Sequence, residues 1–233
     1  MTTSAQNDGA PIDPSGSGPR LSPLGDRALL ARFPSEHEAA AWAAAVTAMA
    51  WRGVVDIVPA YRDVAVFADP DAVDLDDLEV RLRALVPAVG QAESGRRLVI
   101  PVVYDGPDLE AIAGLLNVTL DEVVACHTGP VYDVFAIGFL PGFPYAGWLR
   151  PPLAGLPRRR SPRTRVPAGS VAVAGRQTGV YPGESPGGWH ILGRTPLRLI
   201  DMAQGYFPIR AGDQILFTAI TPEEFEARLH ERL

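Results

Sequence analysis

What most limits the fold is the punctuation of the second half of the chain: beyond Gly129 no apolar run goes far before glycine or proline stops it. The runs at 132–139, 169–174, 197–200 and 214–218 are strand-length and are separated by Gly/Pro clusters, which predicts short strands joined by tight turns. Many short strands with dense turns favour a closed barrel or a sandwich. The stretch before Gly129 is built differently. Around Leu24-Gly25-Asp26, residues 20–33 read as a strand pair, and Ser35 with Glu38 opens a helix whose stripe is Ala39, Trp42, Ala43, Val46 and Met49. Residues 54–59 and 63–68 read as strands, 74–86 as a helix with Leu75, Leu78, Leu82 and Leu85 inward, and 98–103 as a strand. Strand, helix, strand, strand, helix, strand is the order of a split βαβ or ferredoxin-like unit.

The polar, aperiodic stretch 91–97 is the best boundary. This gives an α+β chain: a disordered tail at 1–19, a ferredoxin-like N-terminal domain at 20–95 and a β-barrel domain at 96–233. Two short helices, 108–117 and 120–127, open the second domain, the latter with Thr119 and Glu122 as a capping box, and an amphipathic helix at 222–233 closes it.

Composition removes several chemistries. All 21 basic residues are Arg, so a Schiff-base lysine, a pyridoxal enzyme and a lysine-bearing P-loop are excluded. One Cys and four His without paired ligand spacing argue against a disulfide and against a bound metal. The Ser/Gly/Pro/Asp-rich residues 1–19 have no apolar run, and the most apolar helical stretch, 39–50, is too short to cross a bilayer, so a cytoplasmic chain without membrane contact is expected.

Charge then points to a ligand. The chain carries −6 overall, yet between Val134 and Pro222 ten Arg face only Glu184, Asp201 and Asp213, a local excess of +7. Planar guanidinium forks suit a small carboxylate or phosphate better than nucleic acid; the other reading is a solvated Arg-rich face. Arg158, Arg159 and Arg160 fit that second reading, while Arg163 and Arg165 alternate and share a face if extended. The stiff segment 137–145 offers Phe139, Phe143 and Tyr145 as apolar walls, unless it is a structural loop. Glu184 is placed as general base or substrate anchor, or else as the ion-pair partner of a neighbouring Arg. His190 relays a proton or is a satisfied buried histidine. Cys126, beside His127, is read as a small core residue, and His127 as a helix-terminal cap.

At these stretches the sequence resembles the family that includes the 5-oxoprolinase B subunit, the KipI-type kinase inhibitor and allophanate hydrolase subunit 1. The text that carries the resemblance is His127-Thr128, Ile137 to Tyr145, Ser161 to Val171, Gln177-Thr178-Gly179, and Tyr181 to Pro196, and it extends over most of the chain from about Leu21. Arg176 stands where a second Gly is common, and Gly183 where a larger apolar residue is usual. The resemblance implies a cyclophilin-like barrel, paired with a homologous barrel subunit of the 5-oxoprolinase C or allophanate hydrolase subunit 2 type, and a third, hydrolase subunit. It implies ATP-dependent opening of 5-oxoproline to glutamate, with ATP as cosubstrate and neither metal nor biotin on this chain. Carboxyl transfer to urea through a biotinylated partner and inhibition of a histidine kinase are the other activities in the family. Carried onto this sequence, the catalytic set is Glu184, Arg165 and His190, and the substrate contacts are Phe139, Phe143, Tyr145, Arg163, Gln177, Thr178 and Tyr181.

Overall fold

A computed structural model describes residues 18–86 and 95–233. The expected tail lies almost wholly outside the described residues, as does much of the expected boundary at 91–97. The described chain begins with strands β1 (Arg20–Pro23) and β2 (Ala28–Arg32) and helix α1 (Glu36–Met49). The hairpin β3 (Val54–Ala60) and β4 (Asp63–Ala68) follows, then α2 (Leu75–Ala84). Ser35 accepts from the Glu38 amide and Asp74 from the Asp76 and Asp77 amides, so each helix starts where a side chain can satisfy its free N–H groups. The four strands form one antiparallel sheet in the order β1-β2-β4-β3. On its covered face Leu29, Ala31, Val64 and Val66 meet Trp42, Val46, Leu78 and Leu82, all nearly devoid of exposure.

The predicted strand near residue 98 leaves this sheet. As β5 (Arg97–Val102) it pairs in parallel with a strand at the far end of the chain, and β1 takes the open edge beside β2. The reason is visible in its burial: Ile100, Pro101 and Val102 are buried in succession, which suits a strand covered on both faces.

Helices α3 (Leu109–Leu116) and α4 (Leu120–Thr128) come next; α4 has the expected Thr119/Glu122 capping box. The remaining strands are β6 (Val131–Ile137), β7 (Pro144–Gly147), β8 (Arg163–Val166), β9 (Ser170–Ala174), β10 (Gln177–Val180), β11 (Ser185–Gly187), β12 (His190–Arg194) and β13 (Gln214–Ala219), before α5 (Pro222–Ala227). Seven of the strands line up as β12-β9-β10-β7-β6-β13-β5. The ends of that sheet meet where Val103 and Arg194 exchange two backbone hydrogen bonds of 2.9 Å, so the barrel nearly closes. Gly193 permits this approach, because a Cβ there would lie 2.1 Å from the Val103 carbonyl oxygen. Strands β8 and β11 form a separate two-stranded ribbon. Residues 197–200 are not a strand: only Arg198 makes a bridge, to Arg232, and the closing helix stops at Ala227.

Alternation along the barrel strands splits their side chains between two cores. Val171, Val173, Val180 and Leu192 point inward with Ile100, Tyr132 and Phe217. Ala172, Ala174 and Ile191 point outward and pack with Phe143, Val166, Tyr181 and Trp189 beneath the ribbon. This outer face carries the candidate site.

Candidate functional site

The outer cluster is built from aromatic rings set edge to face. Phe143 lies 5.2 Å from Tyr181 and 5.4 Å from Trp189, and Tyr145 lies 5.1 Å from Phe143 and 5.8 Å from Trp189. Such pairs hold their geometry as well as burying area. Above them Phe139 is 60% exposed at φ +66, edge-on to Phe143 and Tyr181. Tyr145 is half-buried, whereas Phe143 and Tyr181 are each only 1% exposed. Phe143 and Tyr181, expected from sequence as substrate contacts, thus form the layer beneath the surface. The ribbon shuts over Tyr181, since a Cβ at Gly187 would sit 2.3 Å from its hydroxyl oxygen.

On the flank of this face the N-terminal sheet inserts the tip of its β3–β4 hairpin. Tyr61, at φ +58, stacks on Trp148 at 5.9 Å and packs against Phe135 at 5.8 Å. Its backbone N–H donates to the Phe135 carbonyl at 3.2 Å, and the Gln177 side-chain amide donates to its hydroxyl. The Arg176 guanidinium lies over Trp148, 4.8 Å from the ring centre. Gln177 faces outward because its neighbour Thr178 faces inward.

Arg163 and Arg165, the guanidinium clamp expected from sequence, each meet a different carboxylate. Arg163 donates twice to Asp108, at 2.9 and 2.8 Å, and Arg159 donates to the same carboxylate at 2.5 Å. The Ile191 N–H also donates to Asp108, at 2.8 Å. Burial opposes ionisation of Asp108, but the Arg163 bonds, the Ile191 amide and the charge of Arg159 outweigh it and hold the carboxyl below its ordinary range. Arg165 instead reaches out to Glu184 at 2.5 Å, with the two side chains 75% and 50% exposed. Of the two roles open to Glu184, the structure shows the ion pair. His190, expected as a proton relay or a satisfied buried histidine, places Nε2 against the Pro157 carbonyl oxygen at 2.8 Å.

Thr178, expected from sequence as a substrate contact, is fully buried on the barrel-interior side of its strand. Its hydroxyl meets His127 Nε2 at 2.8 Å and donates to the Ala172 carbonyl at 3.2 Å, while the Tyr104 hydroxyl meets His127 Nδ1 at 2.7 Å. His127 is itself fully buried rather than a helix-end cap in solvent, and burial pushes its pKa down to about 3. It is neutral, with Nε2–H donating to Thr178 and Nδ1 accepting from Tyr104, the one assignment that lets the Thr178 hydrogen go to Ala172.

What lies between ribbon and hairpin is thus Tyr61, Tyr145 and Gln177, above Tyr181, with the exposed Arg158 near enough for its charge to act on Tyr61 and Tyr181. Tyr61 and Tyr181 each feel both the Tyr145 hydroxyl and the Arg158 guanidinium, and burial raises the pKa of both phenols, which keeps them protonated as donors. Arg158 has no ion-pair partner among the described residues, unlike Arg159 and Arg163 beside it. Neutral phenols, a carboxamide and one guanidinium can orient a carboxylate and an amide; they do not move protons near neutral pH. Sequence reasoning missed Tyr61, which comes from the other unit, and set Arg158 aside with its neighbours. The signal available for Tyr61 was a bulky residue at a hairpin turn where Gly or Asn would be unstrained.

Residues 19–207 match the profile of the family described as "Carboxyltransferase domain, subdomain C and D". The chain is 35% identical to the 5-oxoprolinase B subunit of Bacillus subtilis (strain 168), over 91% of this chain and 97% of that protein. The crystal structure of TTHA0988 is 38% identical and superposes with a TM-score of 0.75 over 84% of this chain, which spans 40% of that longer chain. The crystal structure of the Kluyveromyces lactis urea carboxylase shares the fold at 20% identity, with a TM-score of 0.64 over 89% of this chain and 22% of its own.

Proposed function

The chain belongs to the carboxyltransferase family of subdomains C and D, and from that premise we propose that it is the B-type subunit of an ATP-dependent 5-oxoprolinase. The identity to the 5-oxoprolinase B subunit supports the substrate. One structural observation supports the role: Gln177 and Tyr61 are hydrogen-bonded on the outer face, where the charge of the exposed Arg158 acts on Tyr61 and Tyr181, while Glu184 is paired with Arg165 and His190 meets the Pro157 carbonyl. This chain therefore binds and orients a carboxylate-bearing cyclic amide, and the groups that move protons come from its partners.

A ring amide is a poor electrophile. Transfer of the γ-phosphoryl group of ATP to the amide oxygen, with ADP leaving, makes the ring carbon open to water; attack, C–N cleavage and loss of phosphate then give glutamate. Arg158 anchors the substrate carboxylate through the opening, and the ring wall of Tyr145 and Trp148 excludes bulk water from one side. Without a lysine-bearing P-loop, the nucleotide is held through Arg, backbone N–H groups and the partner. The homologous barrel subunit covers the outer face at exposed Phe139, near which Phe207 is 39% exposed and packs beside Gly142. An apolar centre with Arg165 and Glu184 at its rim has the anatomy of a protein interface.

A second reading is carboxyl transfer, which the family description favours, with urea as acceptor after the name of the structural neighbour urea carboxylase. Both are tested by reconstituting the chain with its two partner subunits and measuring ATP consumption against 5-oxoproline and against urea. We expect 5-oxoproline-dependent turnover that requires every subunit. Urea-dependent turnover would select the second reading, and turnover by this chain alone would refute a shared site.

A further inference from the structure

The hydrogen bond between Gln177 and Tyr61 spans 116 residues of sequence and joins the two units of the chain at the candidate site. It leaves specific groups over. Gln177 uses one N–H, so its carbonyl oxygen and second N–H have no partner among the described residues. Tyr61 accepts that bond and retains its own O–H hydrogen to donate. A carboxamide presents its oxygen and one N–H side by side in a plane, and a second planar amide can meet that edge with paired hydrogen bonds. The carboxamide is also held: Tyr61 is fixed by Phe135 and Trp148 on its ring and by the Phe135 carbonyl on its backbone.

The conformation of Tyr61 strengthens the case. A non-glycine residue at φ +58 costs about 1 kcal/mol, and such outliers persist where surrounding contacts fix them. An asparagine or glycine would relieve the strain but could neither stack on Trp148 nor hold Gln177.

We propose that Tyr61 and Gln177 form the subsite that reads the planar amide edge of the substrate, with Gln177 making the contact and Tyr61 both donating to the amide oxygen and positioning Gln177. This rests on the 5-oxoprolinase reading for the identity of the amide, which is then a lactam; urea presents the same N–H and C=O edge, so the subsite is testable under either activity.

The experiment compares wild type, Tyr61→Phe, Gln177→Leu and the double variant in the complete reconstituted complex, with 5-oxoproline and with urea. Tyr61→Phe keeps the ring and loses only the hydroxyl. It should raise KM for the amide substrate roughly fivefold to thirtyfold while kcat stays within about threefold, with an unchanged unfolding temperature and tryptophan emission. The double variant should raise KM by less than the product of the two single effects, because the part of the Tyr61 effect that runs through Gln177 is already lost in Gln177→Leu. An unaltered KM in Tyr61→Phe, or effects that multiply independently in the double variant, overturns the subsite. Turnover of urea in place of 5-oxoproline overturns only the activity reading, since the same KM comparison is then made on urea. If neither is turned over, calorimetric binding of both compounds to the same complexes decides: a loss of affinity in Tyr61→Phe supports the subsite, and equal binding or none overturns it.

Discussion

His127 should make the barrel lose stability on mild acidification, well before carboxylates begin to protonate. The imidazole is fully buried and bonded on both nitrogens, with a folded pKa of about 3 against 6.5 in an exposed chain. Below pH 6.5 the unfolded chain takes up a proton that the folded chain refuses, so the contribution is complete above that pH and is lost as pH falls toward 3. At pH 5, about 1.5 pH units below the unfolded value, the loss is about 2 kcal/mol. His127→Gln cannot titrate. Its lost hydrogen bonds and altered packing should destabilise the protein by about 2–4 kcal/mol at pH 8. The gap between the two proteins should then narrow by about 2 kcal/mol between pH 8 and pH 5, because only the wild type bears the protonation cost. Urea unfolding followed by near-ultraviolet circular dichroism at several pH values reads this difference, and the carboxylates common to both proteins cancel. A gap that stays constant or widens on acidification would refute a neutral, buried His127.

Asp108→Asn should lower stability by about 3–5 kcal/mol, since it leaves Arg159 and Arg163 without their carboxylate, and calorimetric unfolding would show it. Arg165→Ala should shift the unfolding temperature by less than about 2 °C and leave turnover within about twofold, because both it and Glu184 are largely exposed; a complete loss of turnover would return Arg165 to the site. Phe139→Asp should leave this chain folded but weaken its assembly with the homologous barrel subunit at least tenfold by analytical ultracentrifugation, and unchanged assembly would move the interface elsewhere.

Local rules were readable wherever they sufficed. The Ser35 and Thr119 caps, the α1 stripe as far as Val46 and most of the short strands follow from neighbours a few residues apart and appear where the pattern puts them, whereas Met49 is exposed and 197–200 is no strand. The arginines behave otherwise for a reason of distance. A count of charges between Val134 and Pro222 sees ten Arg and three acids, but Asp108 and Asp105, which neutralise Arg159, Arg163 and Arg194, lie before that window. An excess along the chain is not an excess in space. The same limit hid the partner of β5, which pairs with the last strand, and with it the strand that completes the N-terminal sheet.

Strand parity explains how the motif Gln177-Thr178-Gly179 divides. One residue of it faces the barrel interior and fixes His127, and the one before it faces Tyr61 on the other side of the same strand. A motif that looks like a single polar cluster in sequence therefore serves two ends, one structural and one on the surface. Gly179 serves a third, since a Cβ there would lie 2.6 Å from the Pro144 carbonyl oxygen and 2.9 Å from Phe143. The surface that results has donors and a cation but no engaged base, and it is bounded by an exposed phenylalanine held in a strained turn. On the function proposed above, a face of that composition holds a small anionic amide while a second polypeptide supplies the proton transfer, so inactivity of the isolated chain and a Tyr61-dependent KM in the complex are the two outcomes expected together.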